Sequence, residues 1–208
     1  MAFSRRKFLA SAASIPLLLC LPGRVLAAAN IHQLTGKVRV NGKLASGATV
    51  IKAGDKITVP RGASLAVSIG EDAFLLRGGS TLQTTAGDNA AITGLRLFAG
   101  AMLAVFGKRQ APTYITSPVA TIGIRGTAIY LSLQPHRMYG CTCYGNTDVQ
   151  IAGSTFVEKI SATHHHPYEI APNEENTMAM RAMPIKEHTD DELRMLEALV
   201  GRKPDFDV

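Results

Sequence analysis

From Ile31 onward, apolar and polar residues alternate in short runs separated by turn residues. Residues 37–42, KVRVNG, alternate and close on an Asn-Gly pair suited to a tight hairpin. DKITV at 55–59, SLAVSI at 64–69 and AFLLR at 73–77 continue the pattern. Turn signals at Asn41-Gly42, Ala53-Gly54-Asp55, Gly70-Glu71-Asp72, Gly78-Gly79 and Gly87-Asp88-Asn89 recur every 8–12 residues or so, the spacing of sandwiches, rolls and barrels. Residues 94–107, GLRLFAGAMLAVFG, are the most continuously apolar part, and Gly100 within them favours two buried strands joined at Ala99-Gly100 over a helix. TYITS at 113–117, ATIGI at 120–124 and TAIYLSL at 127–133 follow, then a hairpin over 148–160 turning at Gly153. Residues 171–184 lack periodicity and read as a loop wrapped over the body. Thr189-Asp190-Asp191-Glu192 then opens one helix as a capping box, with Leu193, Leu196 and Val200 on one stripe and Gly201 as its stop. The pattern predicts an all-β sandwich or roll with a single C-terminal α-helix.

The first 29 residues stand apart. Ser4-Arg5-Arg6-Lys7-Phe8-Leu9 is a twin-arginine export motif, followed by an apolar run over 8–21 and the small-residue stretch VLAAA at 25–29. This reads as a signal helix, because the apolar run is shorter than the roughly 20 residues of a membrane span. No other stretch suits a span, so the expectation is a periplasmic protein with no membrane span after signal cleavage. The segment holds four basic and no acidic residues, so what remains carries 18 Lys+Arg against 16 Asp+Glu. Its basic residues are scattered, which argues against nucleic acid as a partner.

Removing that segment also removes Cys20, whose neighbours Leu17-Leu18-Leu19 do not suit lipidation. Two cysteines remain, in YGCTCYG at 139–145. Extended backbone places Cys141 and Cys143 on one face and Thr142 on the other. Their Cα atoms would lie about 6.5–7 Å apart, the upper limit for a disulfide, whereas thiolates splay readily around a metal. About twenty residues on stand His164, His165 and His166. If the 148–160 hairpin returns the chain beside CTCYG, thiolates and imidazoles meet as a Cys2His2-like set. Alternation puts His164 and His166 on one face and His165 on the other. The residues leave open a transition metal, zinc or copper; a disulfide or plain structural thiols; and a redox or haem-related role. Twin-arginine export carries folded proteins, which suits a site filled in the reducing cytoplasm. The acids beside His188 are accounted for by the helix dipole, and His136 beside Pro135 reads as a solvated turn residue. There is no nucleophile elbow, H-E-x-x-H, P-loop or paired-acid constellation, so catalysis is not expected.

Residues 54–83, GDKITVPRGASLAVSIGEDAFLLRGGSTLQ, with 117–133, SPVATIGIRGTAIYLSL, resemble the periplasmic FecR domain named after the ferric-citrate signal transducer. The likeness covers residues 36–153, and IRGT at 124–127 is its most specific part. The chain looks like a branch of exported single-domain members that carry DAFLLRG, ATIGIRGT, CTCYG and a His-His pair before a Pro and an aromatic. The resemblance favours His164 and His165 as ligands; a third histidine and Glu169 depart from the branch pattern. With residues 1–29 read as signal and 171–208 as a C-terminal loop and helix from their own patterns, the resemblance makes 30–170 a FecR-like β domain. It further implies a non-enzymatic binding or sensing module with a protein partner in the envelope. The alternative is a structural or glycan-binding envelope module whose Cys/His cluster is only a staple. Gly123 and Gly126 suit a crossing between buried strands, where Arg125 is expected to pair with Asp72 or Glu71.

Overall fold

The computed structural model describes residues 29–88 and 91–207; the export signal lies, but for its last residue, outside them. Fifteen strands run in order: β1 (Ile31–Thr35), β2 (Arg39–Val40), β3 (Lys43–Leu44), β4 (Lys56–Val59), β5 (Ser64–Ile69), β6 (Asp72–Leu76), β7 (Ser80–Ala86), β8 (Ile92–Val105), β9 (Thr113–Thr116), β10 (Ala120–Ile124), β11 (Ala128–Gln134), β12 (Arg137–Ile151), β13 (Val157–Ala162), β14 (His166–Pro172) and β15 (Met178–Ala182). One helix, α1 (Asp190–Leu199), and a short 3-10 turn at Asp205–Asp207 complete the chain. The all-β expectation holds. No helix among the described residues is long and apolar enough to cross a membrane.

The strands form two face-to-face sheets that share two long strands. In one sheet the order is β1-β5-β6-β8-β11-β12-β14-β15; in the other it is β3-β2-β4-β7-β8-β9-β10-β12-β13. Strand β8 belongs to the second sheet up to Ala99 and to the first from Gly100. The apolar stretch expected to be two strands is therefore one strand that changes sheet. Gly100 permits this, with φ +80 and a position where an added Cβ would lie 2.4 Å from Ser80 Cα. Strand β12 makes the matching switch at Gly145, φ +86. The IRGT segment is the third crossing, carrying the chain from β10 to β11, with Gly126 at φ +65 and Thr127 fully buried and donating to Asn146 O at 2.8 Å.

Arg125 departs from expectation. It is exposed at this crossing, and the buried Asp72 pairs instead with Arg109, while Glu71 offers Arg202 only its main-chain carbonyl. An exposed guanidinium needs no acidic partner, so the crossing rests on its glycines and the buried Thr127.

The core lies between the sheets, built from Val67, Phe74, Leu97, Met102, Ile129 and their neighbours. A second apolar cluster, with Leu75, Leu103, Val105, Tyr130, Tyr139 and both cysteines, covers the outer face of the first sheet. Strand β6 consequently has all five residues buried, which explains its unbroken apolar run: it is covered on both faces. The outer cover is α1, which packs Leu193 and Leu196, both 0% exposed, against β6 and β8. Each such leucine contributes about 1.5–3 kcal/mol. The segment read as a loop over 171–184 contains β15, a Met-rich edge strand that shows no alternation because neither of its faces is fully buried.

Gly100→Ala should lower the midpoint of thermal unfolding by about 5–10 °C, since a positive φ costs roughly 1–2 kcal/mol and the Ser80 backbone must also move. Gly153→Ala, at φ +81 with nothing within 4 Å of an added Cβ, carries only the first cost and should fall by less than half as much. Calorimetry of both variants checks the ordering.

Candidate metal centre

The two cysteines sit on the outer face of the first sheet, as alternation places them. Across from them the pairing of β11 with β12 slips: Ala128 faces Tyr144, Ile129 faces Thr142, and Cys143 is the extra residue of a bulge. Bulges bend a strand and re-aim its side chains, and here both thiols remain free and completely buried.

Histidines reach them from two directions. After β13, paired with the far half of β12, the chain turns through Thr163–His165 into β14, which pairs with the near half, His166 opposite Thr142 and Pro167 opposite Cys141. His165 takes φ +52 and donates its backbone N–H to Cys143 O at 2.8 Å. Its ring nitrogen Nδ1 lies 3.6 Å from Cys141 Sγ. The second arrival is His188, just ahead of the helix cap, whose Nε2 lies 3.5 Å from Cys143 Sγ and 3.3 Å from His165 Nδ1. Cys141, Cys143, His165 and His188 thus offer four donor atoms all within 4.8 Å of one another.

The outer atoms of both rings fix their tautomers. His188 Nδ1 lies 2.9 Å from Lys186 O, and a carbonyl only accepts, so Nδ1 carries a proton; whenever the ring is neutral, as a metal ligand must be, Nε2 presents a lone pair inward. His165 Nε2 likewise donates to Asp190 Oδ1 at 2.7 Å, leaving Nδ1 free. Outward hydrogen bonding to a carboxylate and a carbonyl is how metal-ligating histidines are oriented. The separations fit as well. A tetrahedron with metal–sulfur distances near 2.3 Å and metal–nitrogen distances near 2.0–2.1 Å has N···N edges of about 3.3–3.4 Å and S···N edges of about 3.5–3.6 Å.

Of the other histidines singled out by sequence, His164 stands on the solvent side and shares Asp190, its Nε2 at 3.0 Å from Oδ1. His166 is exposed and stands outside both clusters of ligand-type residues. From sequence, Asp190 is accounted for by the helix dipole and His188 is not counted among the ligands. Their signal was positional: a histidine directly before a capping box lies wherever the helix N-terminus is docked.

Electrostatics within the cluster are those of a shared proton. Hydrogen bonding from the Cys143 thiol, against the cost of burial and aided by His188 and His165, draws Cys141 down to about 5. Burial, with Cys141 beside it, pushes Cys143 well up. The two thiols are thus driven in opposite directions, and binding a metal as two thiolates would require Cys143 to give up its proton. Burial opposes charge on Asp190, yet hydrogen bonds from His165 and His164 hold its carboxyl below the usual range.

The segment bearing His188 is fastened at several points. Tyr130 stacks on the His188 ring with centroids 4.7 Å apart and planes at 11°, and its hydroxyl donates to Glu187 Oε2 at 3.1 Å. Tyr139 accepts from Lys186 N at 3.1 Å. Thr189 caps α1, accepting from Glu192 N while Glu192 reaches back to Thr189 N at 3.1 Å. Glu192 also receives Arg77 on both oxygens, at 2.7 and 2.8 Å.

No protein-family model matches this chain, and none of the curated proteins does. Among solved structures, the fold is similar to a crystal structure at 2.50 Å of a "putative anti-sigma factor" from Parabacteroides distasonis ATCC 8503. That alignment has a TM-score of 0.51 and 13% identity over 61% of this chain and 59% of that one. A 1.65 Å crystal structure under the same description aligns over the same shares with a TM-score of 0.49 and 12% identity. The chain therefore spans less than two thirds of the length of these neighbours, and the likeness is one of fold.

Thr189→Ala should cost about 1 kcal/mol, read as a fall of about 2–4 °C in the unfolding midpoint. Thr189→Asp, which keeps a capping oxygen, should restore most of it.

Proposed function

We propose that this chain is a periplasmic FecR-domain protein, exported by the twin-arginine pathway, that works without catalysis as a binding and sensing module with a protein partner in the envelope. Its metal, on this reading, is held by Cys141, Cys143, His165 and His188, a set that takes in one of the three adjacent histidines: His164 braces Asp190 and His166 takes no part. The observation that carries the metal reading is the pair of imidazole lone pairs turned inward, 3.3 Å apart and facing two thiols at 3.5 and 3.6 Å. Two acceptors at that distance repel unless a cation or proton lies between them. The donor set suits zinc, whose closed structural sites are S2N2 tetrahedra. Copper(I) is the other ion that soft thiolates select.

Support for the FecR reading comes from where its motifs fall: IRGT makes the crossing between the two sheets, and the fold neighbour is described as an anti-sigma factor. When bound, the metal would supply coordinate bonds joining β12 and the β13–β14 turn to the start of α1. The protein's own part is to aim the imidazoles, exclude water with the Tyr130–His188 stack, and hold the helix on the sheet.

A second reading, the same centre as a staple with no sensing role, is favoured by its closure: all four positions are filled by protein and both cysteines are 0% exposed. Sensing requires that loss of metal change a surface. Chelation should then speed backbone amide exchange across residues 183–200 at least about tenfold while leaving β5 and β10 protected, and a uniform change across the fold would instead support the staple.

Elemental analysis decides the metal itself. Protein exported in its host and purified without an affinity tag or chelator should carry about one equivalent, zinc rather than copper, and under about 0.3 equivalents with no free thiol would sink the proposal. Cys141→Ser, Cys143→Ser, His165→Ala and His188→Ala should each lose most of the metal. Asp190→Asn should weaken affinity by about 10–100-fold, and His166→Ala should change nothing.

A further inference from the structure

A cavity of about 500 Å³ opens at the other end of the sandwich, within the about 300–1,000 Å³ typical of small-ligand sites. Its position follows from the strand switching. One edge of β8 is paired with β9 as far as Arg96 and with β11 from Gly100 on. Along Leu97–Ala99 that edge has no strand beside it, and the cavity sits in this gap. Phe98 and Ala99 form one wall; Pro118 and Val119, just beyond β9, and Leu133 at the end of β11 form the others. The β11–β12 turn closes one side with His136, held at φ +56. His136 lies seven positions ahead of Cys143, about 24 Å of extended chain, so this cavity is separate from the cysteine cluster.

Its walls are mostly apolar, and the cations nearest them rest on the ring of Phe98. No carboxylate lines it. Phe98, 40% exposed, carries Lys56 Nζ at 5.3 Å and Arg96 Cζ at 4.9 Å from its ring centroid. Neither cation forms an ion pair among the described residues. Stacked cations hold an aromatic ring at the rim of a cleft while leaving their own charge in search of an anion. His136 adds a ring that donates hydrogen bonds in either tautomer. An apolar slot with two cations stacked on one of its wall residues matches a ligand with an apolar body and one anionic head.

We propose that this cavity is a binding site for a free amphipathic carboxylate, a saturated or flat apolar acid of about eight to twelve carbons, with its tail between Phe98, Val119 and Leu133 and its head toward Lys56 and Arg96. The site is independent of the metal centre and stands whether or not that centre is filled.

Titration calorimetry of the full mature protein with decanoate, decanol and decylamine tests it. Decanoate should bind with a Kd of about 10–100 µM, decanol at least about tenfold more weakly, and decylamine not measurably. Ala99→Trp places an indole in the cavity from an exposed position and should abolish decanoate binding with the unfolding midpoint unchanged. Lys56→Glu with Arg96→Glu should weaken decanoate about tenfold and leave decanol as it was. No heat with decanoate up to about 1 mM, or equal affinity in the Ala99→Trp variant, overturns the site. Equal affinity for decanol and decanoate, unmoved by the charge reversals, overturns the assignment of the ligand as an anion.

Discussion

The outer face of the first sheet cannot be left to water. Leu75, Leu103, Val105, Tyr130 and Tyr139 form a continuous apolar surface there, larger than a monomeric protein leaves exposed without consequence. What covers it is one helix of ten residues and the segment leading into it. A helix of that length is marginal by itself in water. Its docking therefore depends on two buried leucines, a capping box, the Arg77–Glu192 pair and the cluster that grips His188. The cysteines lie under this cover rather than in the core between the sheets, so the chemistry of the thiols and the attachment of the C-terminal arm are one problem.

Much of this architecture was legible in the amino-acid pattern. SLAVSI and ATIGI became β5 and β10 with the bounds their alternation suggests, and the capping box at Thr189 formed as read. Gly100 was recognised as a break, but a break in sheet membership looks the same in one dimension as a break between strands. Strand β7 lies between two others with Ser80, Leu82 and Thr84 facing inward, and it escaped notice because two of those three inward residues are polar; β15 did because its methionines and alanines are only partly buried. Arg125 misled for a related reason: glycines on both sides suggested burial, whereas they mark a crossing that leaves the side chain in solvent.

The cluster was half legible. The pair of cysteines and the adjacent histidines stand out by type and spacing, and the hairpin turning at Gly153 brings them to one end of β12. Which histidine enters depended on a left-handed residue in a turn, since φ +52 at His165 breaks the two-residue period on which alternation relies. His188 was out of reach of any local rule. It lies 45 residues from Cys143 and arrives only because α1 docks where the sheet needs cover.

Strands β8 and β12 each run through both sheets. In an ordinary sandwich the two layers are held by side-chain packing and can slide or peel under load. Here any such shear would have to tear a continuous backbone at Gly100 and Gly145, with its ladder bonds on either side. The body should therefore bear mechanical force as a single stiff block, and tension applied to the chain would be relieved first by the C-terminal arm, which among the described residues is not woven into it.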